Sequence, residues 1–96
     1  MIDAHTVIAR NPRVVHRNLA GEEGAVLLNL DTSAYHGVNQ VGSLIWGQLE
    51  EPVSFARLVE AVRARLQDPP PDLAGDVATF IADLQGRDLV LLTPHP

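Results

Sequence analysis

The hydrophobic period of this chain changes at Asn39, and that change constrains the fold more than any other feature. Before Asn39, short apolar segments alternate with residues that favour turns. After Asn39, apolar residues recur at the spacing of an amphipathic helix. A chain that passes once from a strand period to a helix period is predicted to form a sheet first and helices afterwards, which is an α+β order.

Three strands are predicted before the change of period: Val14–Leu19, Ala25–Leu30 and Tyr35–Val38. The second is almost continuously apolar, which predicts a central strand that is buried on much of both faces. Short connections between the three indicate an antiparallel meander. In that arrangement the third strand lies at an edge of the sheet and keeps one row of backbone N–H and C=O groups unpaired.

Three helices are predicted after the change of period, beginning at the favourable N-caps Asn39 and Ser54 and at about Asp72 or Leu73. Each has an apolar stripe, and Gly86 is a natural stop for the third. The order predicts a winged helix-turn-helix, with a three-stranded antiparallel sheet in place of the wing. An apolar segment after the third helix, 89–92, is expected to dock on the sheet.

The length of 96 residues fits one domain. We expect a flexible N-terminal lead-in at 1–12, the folded domain at 13–92 and a short C-terminal tail at 93–96. Within the first helix, Gly42 indicates either the close approach of another backbone or an exposed position, and the sequence leaves both open. Ile45 and Trp46 are expected to anchor that helix in the core.

Composition and charge exclude several classes of function. The net charge of −5 argues against a nucleic-acid partner, because the third helix would present aspartates to phosphates. The four histidines are scattered and there is no cysteine, so we expect no metal site and no cofactor. The N-terminus lacks the pattern of a signal peptide, and no apolar run is long enough to span a bilayer, so we expect a cytoplasmic protein without membrane contact.

Catalysis is also disfavoured. Asp31, Ser33 and His36 are the residue types of a hydrolase triad, but they lie in one tight turn and the strand after it. A triad needs a buried, oriented base and an oxyanion hole, which a surface hairpin does not readily supply. We therefore predict a protein that is not an enzyme. An exposed edge strand beside an apolar helix instead permits an extended peptide to bind as an added strand, although ordinary core packing explains the same residues equally well.

The segment Tyr35–Trp46 resembles the PqqD-like family, also called the RiPP recognition elements. In that family an aromatic strand leads into a helix with the pattern Asn-x-x-Gly-x-x-Ile-Trp, and here these four positions are Asn39, Gly42, Ile45 and Trp46. The hairpin at 27–31 and the helix spacing from 77 to 90 fit the same pattern. The resemblance extends over residues 13–92.

The resemblance implies a non-catalytic protein that binds the leader of a ribosomally synthesised precursor peptide along the third strand and the third helix. The residues that it implicates in peptide binding are Ala34, Tyr35, His36, Gly37, Val38, Asp76, Val77, Phe80, Asp83 and Leu84. His36 stands where the family often has a second aromatic residue. The two aspartates are further expected to meet basic residues of a leader.

The chain is most similar to the stand-alone recognition proteins of lasso-peptide biosynthesis. That similarity implies delivery of the leader to a separate leader peptidase and a macrolactam cyclase. Two alternatives remain: a PqqD-type peptide chaperone that works with a radical-SAM enzyme in quinone-cofactor synthesis, and, less in keeping with the charge, a winged-helix DNA-binding regulator.

Overall fold

The computed structural model of the chain describes residues 2–19 and 24–94. It has six strands and three helices in these ranges, in the order β1 (Val7–Arg10), β2 (Val14–Asn18), β3 (Ala25–Asn29), β4 (Tyr35–Val38), α1 (Gln40–Gly47), β5 (Val53–Ser54), α2 (Phe55–Arg65), α3 (Leu73–Gly86) and β6 (Val90–Thr93). The predicted α+β class is therefore confirmed, as are the three helices and their boundaries to within a few residues.

The strands form two separate antiparallel sheets among the described residues. The first has the order β2-β3-β4 and is the predicted meander, with β4 at an edge. The second has the order β5-β1-β6 and was not predicted. The simple order of three strands followed by three helices is thus only partly right, because β1 precedes the meander, β5 lies between α1 and α2, and β6 follows α3.

Strand β1 lies inside the segment 1–12 that we expected to be a lead-in. Its central residue Ile8 has no exposed surface, and its partners are β5 on one side and β6 on the other. The segment 89–92 was expected to dock on the meander, but β6 pairs with β1 instead. Of the expected tail at 93–96, Thr93 belongs to β6, and residues 95 and 96 lie outside the described residues.

The predicted N-caps are confirmed, since side-chain oxygens accept the otherwise unpaired N–H groups at the start of each helix. The Asn39 side chain accepts from the Gly42 N–H at 2.8 Å, and the Ser54 hydroxyl accepts from the Arg57 N–H at 3.3 Å. Asp72 caps α3 by accepting from the Gly75 N–H at 3.1 Å. Asn39 therefore determines where the edge strand stops and α1 begins.

The core lies between the inner face of β2-β3-β4 and the three helices. Ile45 and Trp46 are 3% and 2% exposed, which confirms that they anchor α1. The guanidinium carbon of Arg10 lies 4.6 Å from the centre of the Trp46 ring, and the same guanidinium donates to the Trp46 carbonyl oxygen at 2.7 Å. Partial burial lowers the pKa of Arg10, with the charge of Glu50 acting in the opposite direction. These contacts join the second sheet to α1.

Candidate leader-binding edge and groove

The turn that leads into β4 is held by Asn29, a buried polar residue with 1% of its surface exposed. Its side-chain oxygen accepts from the N–H groups of Asp31 and Thr32 at 2.9 and 3.2 Å. Its amide nitrogen donates to the carbonyl oxygen of Asp88 at 3.1 Å, just beyond the end of α3. One side chain therefore ties the start of the edge strand to the end of the helix beside it.

The hydrogen-bond register of β4 identifies which of its backbone groups are free. The Asn29 N–H donates to the Ala34 carbonyl oxygen at 3.1 Å, so these opposite residues form a hydrogen-bonded pair. Bonded and non-bonded pairs alternate along an antiparallel ladder. His36 and Val38, opposite Leu27 and Ala25, therefore bond to β3. The N–H and C=O groups of the residues between, Tyr35 and Gly37, point away from β3 towards the open edge.

The side chains of β4 alternate in the same way. Tyr35 is 73% exposed and Gly37 is exposed, whereas the His36 side chain is only 19% exposed and Val38 is 7% exposed. The resemblance implicates Val38 in peptide binding, but its side chain is buried. Val38 belongs to the core, because it lies opposite the buried Ala25 on the inner face of the sheet.

The groove between β4 and α3 is bounded at one end by charged side chains. His36 Nε2 lies 3.6 Å from a carboxylate oxygen of Asp83. Asp83 also accepts from Arg87 Nε at 3.4 Å, one turn further along α3. Asp83 thus already has two partners within the protein, whereas Asp76 is exposed and forms no ion pair with the described residues.

The other end of the groove is apolar and closely packed. A Cβ atom on Gly42 would lie 3.0 Å from the Phe80 ring and 3.0 Å from Val38 Cβ. The close approach indicated by this glycine is therefore real, but it involves side chains and not another backbone. Phe80 itself is partly exposed, so its ring forms a wall of the groove. Val77 and Leu84, on the same helix, have no exposed surface and contribute to the core beneath it.

Two cavities lie at the ends of this groove. The one at the start of β4 has a volume of about 250 Å³, and its lining includes Ala34, Tyr35, His36 and Arg87. The one beyond Phe80 has a volume of about 390 Å³ and lies between α1, the α2–α3 linker and α3. Its lining is mainly apolar, with two aspartates: Val41, Gly42, Ile45, Leu66, Asp68, Pro70, Leu73, Asp76, Val77 and Phe80, together with Asn39. Six of the ten implicated residues line one cavity or the other.

Sequence reasoning missed several residues of these cavities. Val41 lies at the spacing of the apolar stripe of α1, yet it is 46% exposed at the larger cavity. Leu66 and Pro70 come from the end of α2 and from the linker that follows it. Their only signal was a proline-rich connection between two helices, which does not reveal which helix face it approaches. No group of histidine, cysteine or carboxylate side chains in the described ranges 2–19 and 24–94 has the arrangement of a metal site.

Comparisons with known proteins identify a matching family and similar solved structures. A family model for PqqD, coenzyme PQQ synthesis protein D, matches residues 24–90. The structure of TbiB1 in complex with the TbiA(beta) leader peptide is similar, with 30% sequence identity and a TM-score of 0.73; the match covers 85% of this chain and 93% of that one. Lasso peptide synthetase B1 complexed with the leader peptide shares the fold at 20% identity and a TM-score of 0.70, covering 88% and 96%. A search of curated proteins finds no match.

Proposed function

From the premise that this chain belongs to the PqqD family, we propose that it binds the leader of a precursor peptide as an added strand on β4. The observation that carries the proposal is the open edge: Tyr35 and Gly37 direct their backbone groups away from β3, beside a groove with a cavity at each end. Backbone pairing supplies affinity with little dependence on sequence, and pockets supply selectivity. The domain itself would catalyse nothing.

The spacing of the cavities suggests how a leader would be selected. Side chains of an added strand alternate between the two faces of the sheet, so every second one would point into the groove. An apolar side chain at one end would enter the cavity beyond Phe80, and another would approach His36 at the start of β4. We propose that Ala34, Tyr35, His36, Gly37 and Phe80 contact the peptide. Val38, Val77 and Leu84 would support these contacts from the core.

Charge would have a smaller part in this recognition. Asp76 lines the larger cavity and is exposed, so it is free to meet a basic residue of the leader. Asp83 would have to exchange its contacts with Arg87 and His36 to do the same. An exposed ion pair contributes about 0.2–1 kcal/mol and is screened by salt. We therefore expect Asp76→Asn to lower leader affinity less than fivefold, and the loss to shrink at high salt.

We further propose that the bound leader is presented to a leader peptidase and a macrolactam cyclase in lasso-peptide biosynthesis. The similarity to TbiB1 in complex with a leader peptide supports the leader-binding part of this proposal, and the fold shared with lasso peptide synthetase B1 is the ground for choosing lasso-peptide biosynthesis. The second candidate is a PqqD-type chaperone for a radical-SAM enzyme in quinone-cofactor synthesis, which the description of the matching family model favours. Titration with leaders of the two kinds separates the candidates, since the correct one should bind at least tenfold more tightly.

All peptide contacts would fall within residues 13–92, with β1 and β6 as supporting structure. No helix among the described residues is long and apolar enough to cross a membrane, and we propose that the protein acts in the cytoplasm without a nucleic-acid partner.

A matched pair of substitutions at Gly37 tests the binding mode. A Cβ atom at Gly37 would have no neighbour within 4 Å, so the Cβ that either substitution adds causes no clash. Gly37→Pro removes the N–H that faces the open edge and leaves the ladder to β3 intact, because proline is tolerated at such edge positions. Gly37→Ala keeps the N–H and is the control.

The assay is the fluorescence anisotropy of a labelled leader from the precursor encoded beside this protein's gene, with the TbiA(beta) leader as a second probe. Loss of one backbone bond, with its peptide acceptor left unpaired, costs about 1–3 kcal/mol. Gly37→Pro should therefore weaken binding about tenfold or more, and Gly37→Ala less than threefold. Equal affinities for the two variants, or binding of double-stranded DNA in place of peptide, would refute the proposal.

A further inference from the structure

Two buried N–H groups, Arg10 Nε and Trp46 Nε1, have no hydrogen-bond acceptor within the part of the chain that the structure describes. Trp46 as a whole is 2% exposed, and Arg10 is partly buried. The Arg10 guanidinium does donate from Nη2 to the Trp46 carbonyl oxygen at 2.7 Å, but this bond uses neither of the two N–H groups. Buried polar groups in folded proteins almost always have a partner. These two are therefore available to a ligand.

Both side chains line a cavity of about 280 Å³ between β2 and α1, which we call the β2 cavity. The guanidinium carbon of Arg10 lies 4.6 Å from the centre of the Trp46 ring, so the two N–H groups belong to one site. The His16 ring meets the Trp46 ring edge to face, with 6.4 Å between their centres. His16 is exposed, so its ring can turn and admit a ligand atom to the buried N–H groups.

The donors of the β2 cavity define the chemistry of its ligand. Indole and guanidinium N–H groups donate and cannot accept, so the ligand must present an acceptor. Arg10 forms no ion pair with the described residues, and Asn18 and Ser43 add an amide and a hydroxyl group to the lining. A hydrogen bond to an ionised acceptor is about twice as strong as one between neutral groups. A carboxylate meets these requirements.

Glu50 limits the charge that the β2 cavity accepts. It lines the same cavity, and its charge raises the pKa of Arg10 against the larger effect of partial burial, which lowers it. Glu50 is exposed, so solvent screens its attraction for the guanidinium. The same charge repels an anionic ligand, and it repels a phosphate dianion more than a carboxylate with a single charge. Removing the charge of Glu50 should therefore strengthen carboxylate binding.

The edge of β2 beside this cavity has free backbone groups. The Leu19 N–H donates to the Gly24 carbonyl oxygen at 2.9 Å, so these opposite residues form a hydrogen-bonded pair. Bonded and non-bonded pairs alternate, and His16 and Asn18 therefore direct their N–H and C=O groups away from β3. An extended segment that carries the carboxylate would pair with these groups, whereas a free carboxylate would use the cavity alone.

We propose that the β2 cavity binds a carboxylate, which accepts hydrogen bonds from Arg10 Nε and Trp46 Nε1. The site lies at the edge of the sheet opposite β4, since the strand order is β2-β3-β4. It is therefore separate from the proposed leader site and does not depend on it. The domain would have a second ligand, recognised by its negative charge and two acceptor oxygens.

The test follows the indole N–H of Trp46 by NMR, because the chain has one tryptophan and this signal reports on the site alone. Acetate, titrated at constant ionic strength, should move the signal downfield with a Kd of about 1–10 mM, as expected for so small a ligand. Acetamide has the same shape without the charge and should not move it. A capped tripeptide with a central glutamate should bind about threefold or more tightly than acetate if an extended segment carries the carboxylate, and no more tightly if the ligand is a free acid.

Two matched pairs of variants locate the bound anion. Glu50→Gln should tighten acetate binding about threefold, and Glu51→Gln, the same charge change at the adjacent exposed position outside the cavity, should leave it unchanged. Arg10→Lys keeps the charge but removes the Nε–H group, so it should weaken binding about fivefold or more. Arg17→Lys, at an exposed position of β2 outside the cavity, is its control.

Three results would overturn the proposal. An indole signal that does not move with acetate up to about 100 mM means that the cavity holds only water. Equal shifts with acetate and acetamide mean that the site takes a neutral acceptor, and equal affinities for Glu50→Gln and Glu51→Gln mean that the anion binds elsewhere. If Arg10→Lys fails to fold, the pair at 50 and 51 decides alone. Leader titration is a separate measurement, so failure here leaves the proposed function standing.

Discussion

Gly42 connects the packing of the fold to the proposed groove, and substitution by alanine tests both. Replacing glycine inside a helix stabilises it by about 1 kcal/mol, because alanine loses less backbone freedom on folding. Here the added methyl would lie 3.0 Å from the Phe80 ring and from Val38 Cβ. Crowding of this kind in a packed interior costs about 1–3 kcal/mol. The Phe80 ring can shift because it is partly exposed, whereas Val38 Cβ is held by its strand.

The two effects leave Gly42→Ala destabilised by about 0–2 kcal/mol, with about 1 kcal/mol as the central expectation. For a domain of this size, 1 kcal/mol lowers the melting temperature by about 4–8 °C. Gly47→Ala, in the same helix, is the matched control, since a methyl there has no neighbour within 4 Å. Thermal unfolding followed by circular dichroism should show a lower Tm for Gly42→Ala and an equal or higher Tm for Gly47→Ala.

The displaced Phe80 ring should also narrow the larger cavity, so Gly42→Ala is expected to weaken leader binding severalfold while Gly47→Ala leaves it unchanged. A Gly42→Ala variant as stable as Gly47→Ala would refute the packing argument. If Gly42→Ala also bound the leader with normal affinity, the larger cavity would have no part in peptide recognition.

Three further predictions concern the core and the N-terminal turn. Trp46→Ala should lower the free energy of unfolding, measured by urea titration, by about 3–5 kcal/mol, which is a large part of the total for a domain this small. A loss below about 1 kcal/mol would contradict the place of Trp46 in the core. Val38→Asp should unfold the domain because it buries an unpaired carboxylate, whereas Gly37→Asp should remain folded by circular dichroism; the opposite result would shift the strand register by one residue. The pKa of Asp3 is lowered, first by the hydrogen bond from the His5 N–H and also by those from Thr6. The contribution of Asp3 to stability should therefore be complete above the usual aspartate pKa of about 3.9 and be lost as the pH falls through the lower pKa of the folded state. NMR titration of the Asp3 carboxyl group measures this pKa. An unshifted pKa would mean that the turn is not formed.

Much of the fold could be predicted because its signals are local. Asn39, Ser54 and Asp72 act as N-caps through contacts three residues away, and the helix stripes follow from periodicity alone. Strand β1 was missed because its pairing is with residues more than forty positions distant and only Ile8 in it is fully buried. The hydrophobic period of a segment does not reveal partners so distant in the sequence.

The candidate site was predictable in position but not in detail. The sequence Tyr35–Val38 contains glycine and histidine, which are neither clearly apolar nor clearly polar, so alternation alone did not decide which side chains face α3. The structure resolves this through the pairing of Ala25 with Val38. The larger cavity depends on Leu66 and Pro70 meeting α3, a tertiary contact that the sequence does not encode locally.

Amide hydrogen exchange of β4, measured by NMR with and without saturating leader peptide, tests the central claim most directly. His36 and Val38 already bond to β3, so their amides should exchange slowly in both states and serve as internal controls. The amides of Tyr35 and Gly37 face the open edge, and they should exchange rapidly in the free protein and at least tenfold more slowly in the complex. Binding of the leader with no change at Tyr35 and Gly37 would contradict strand addition at this edge.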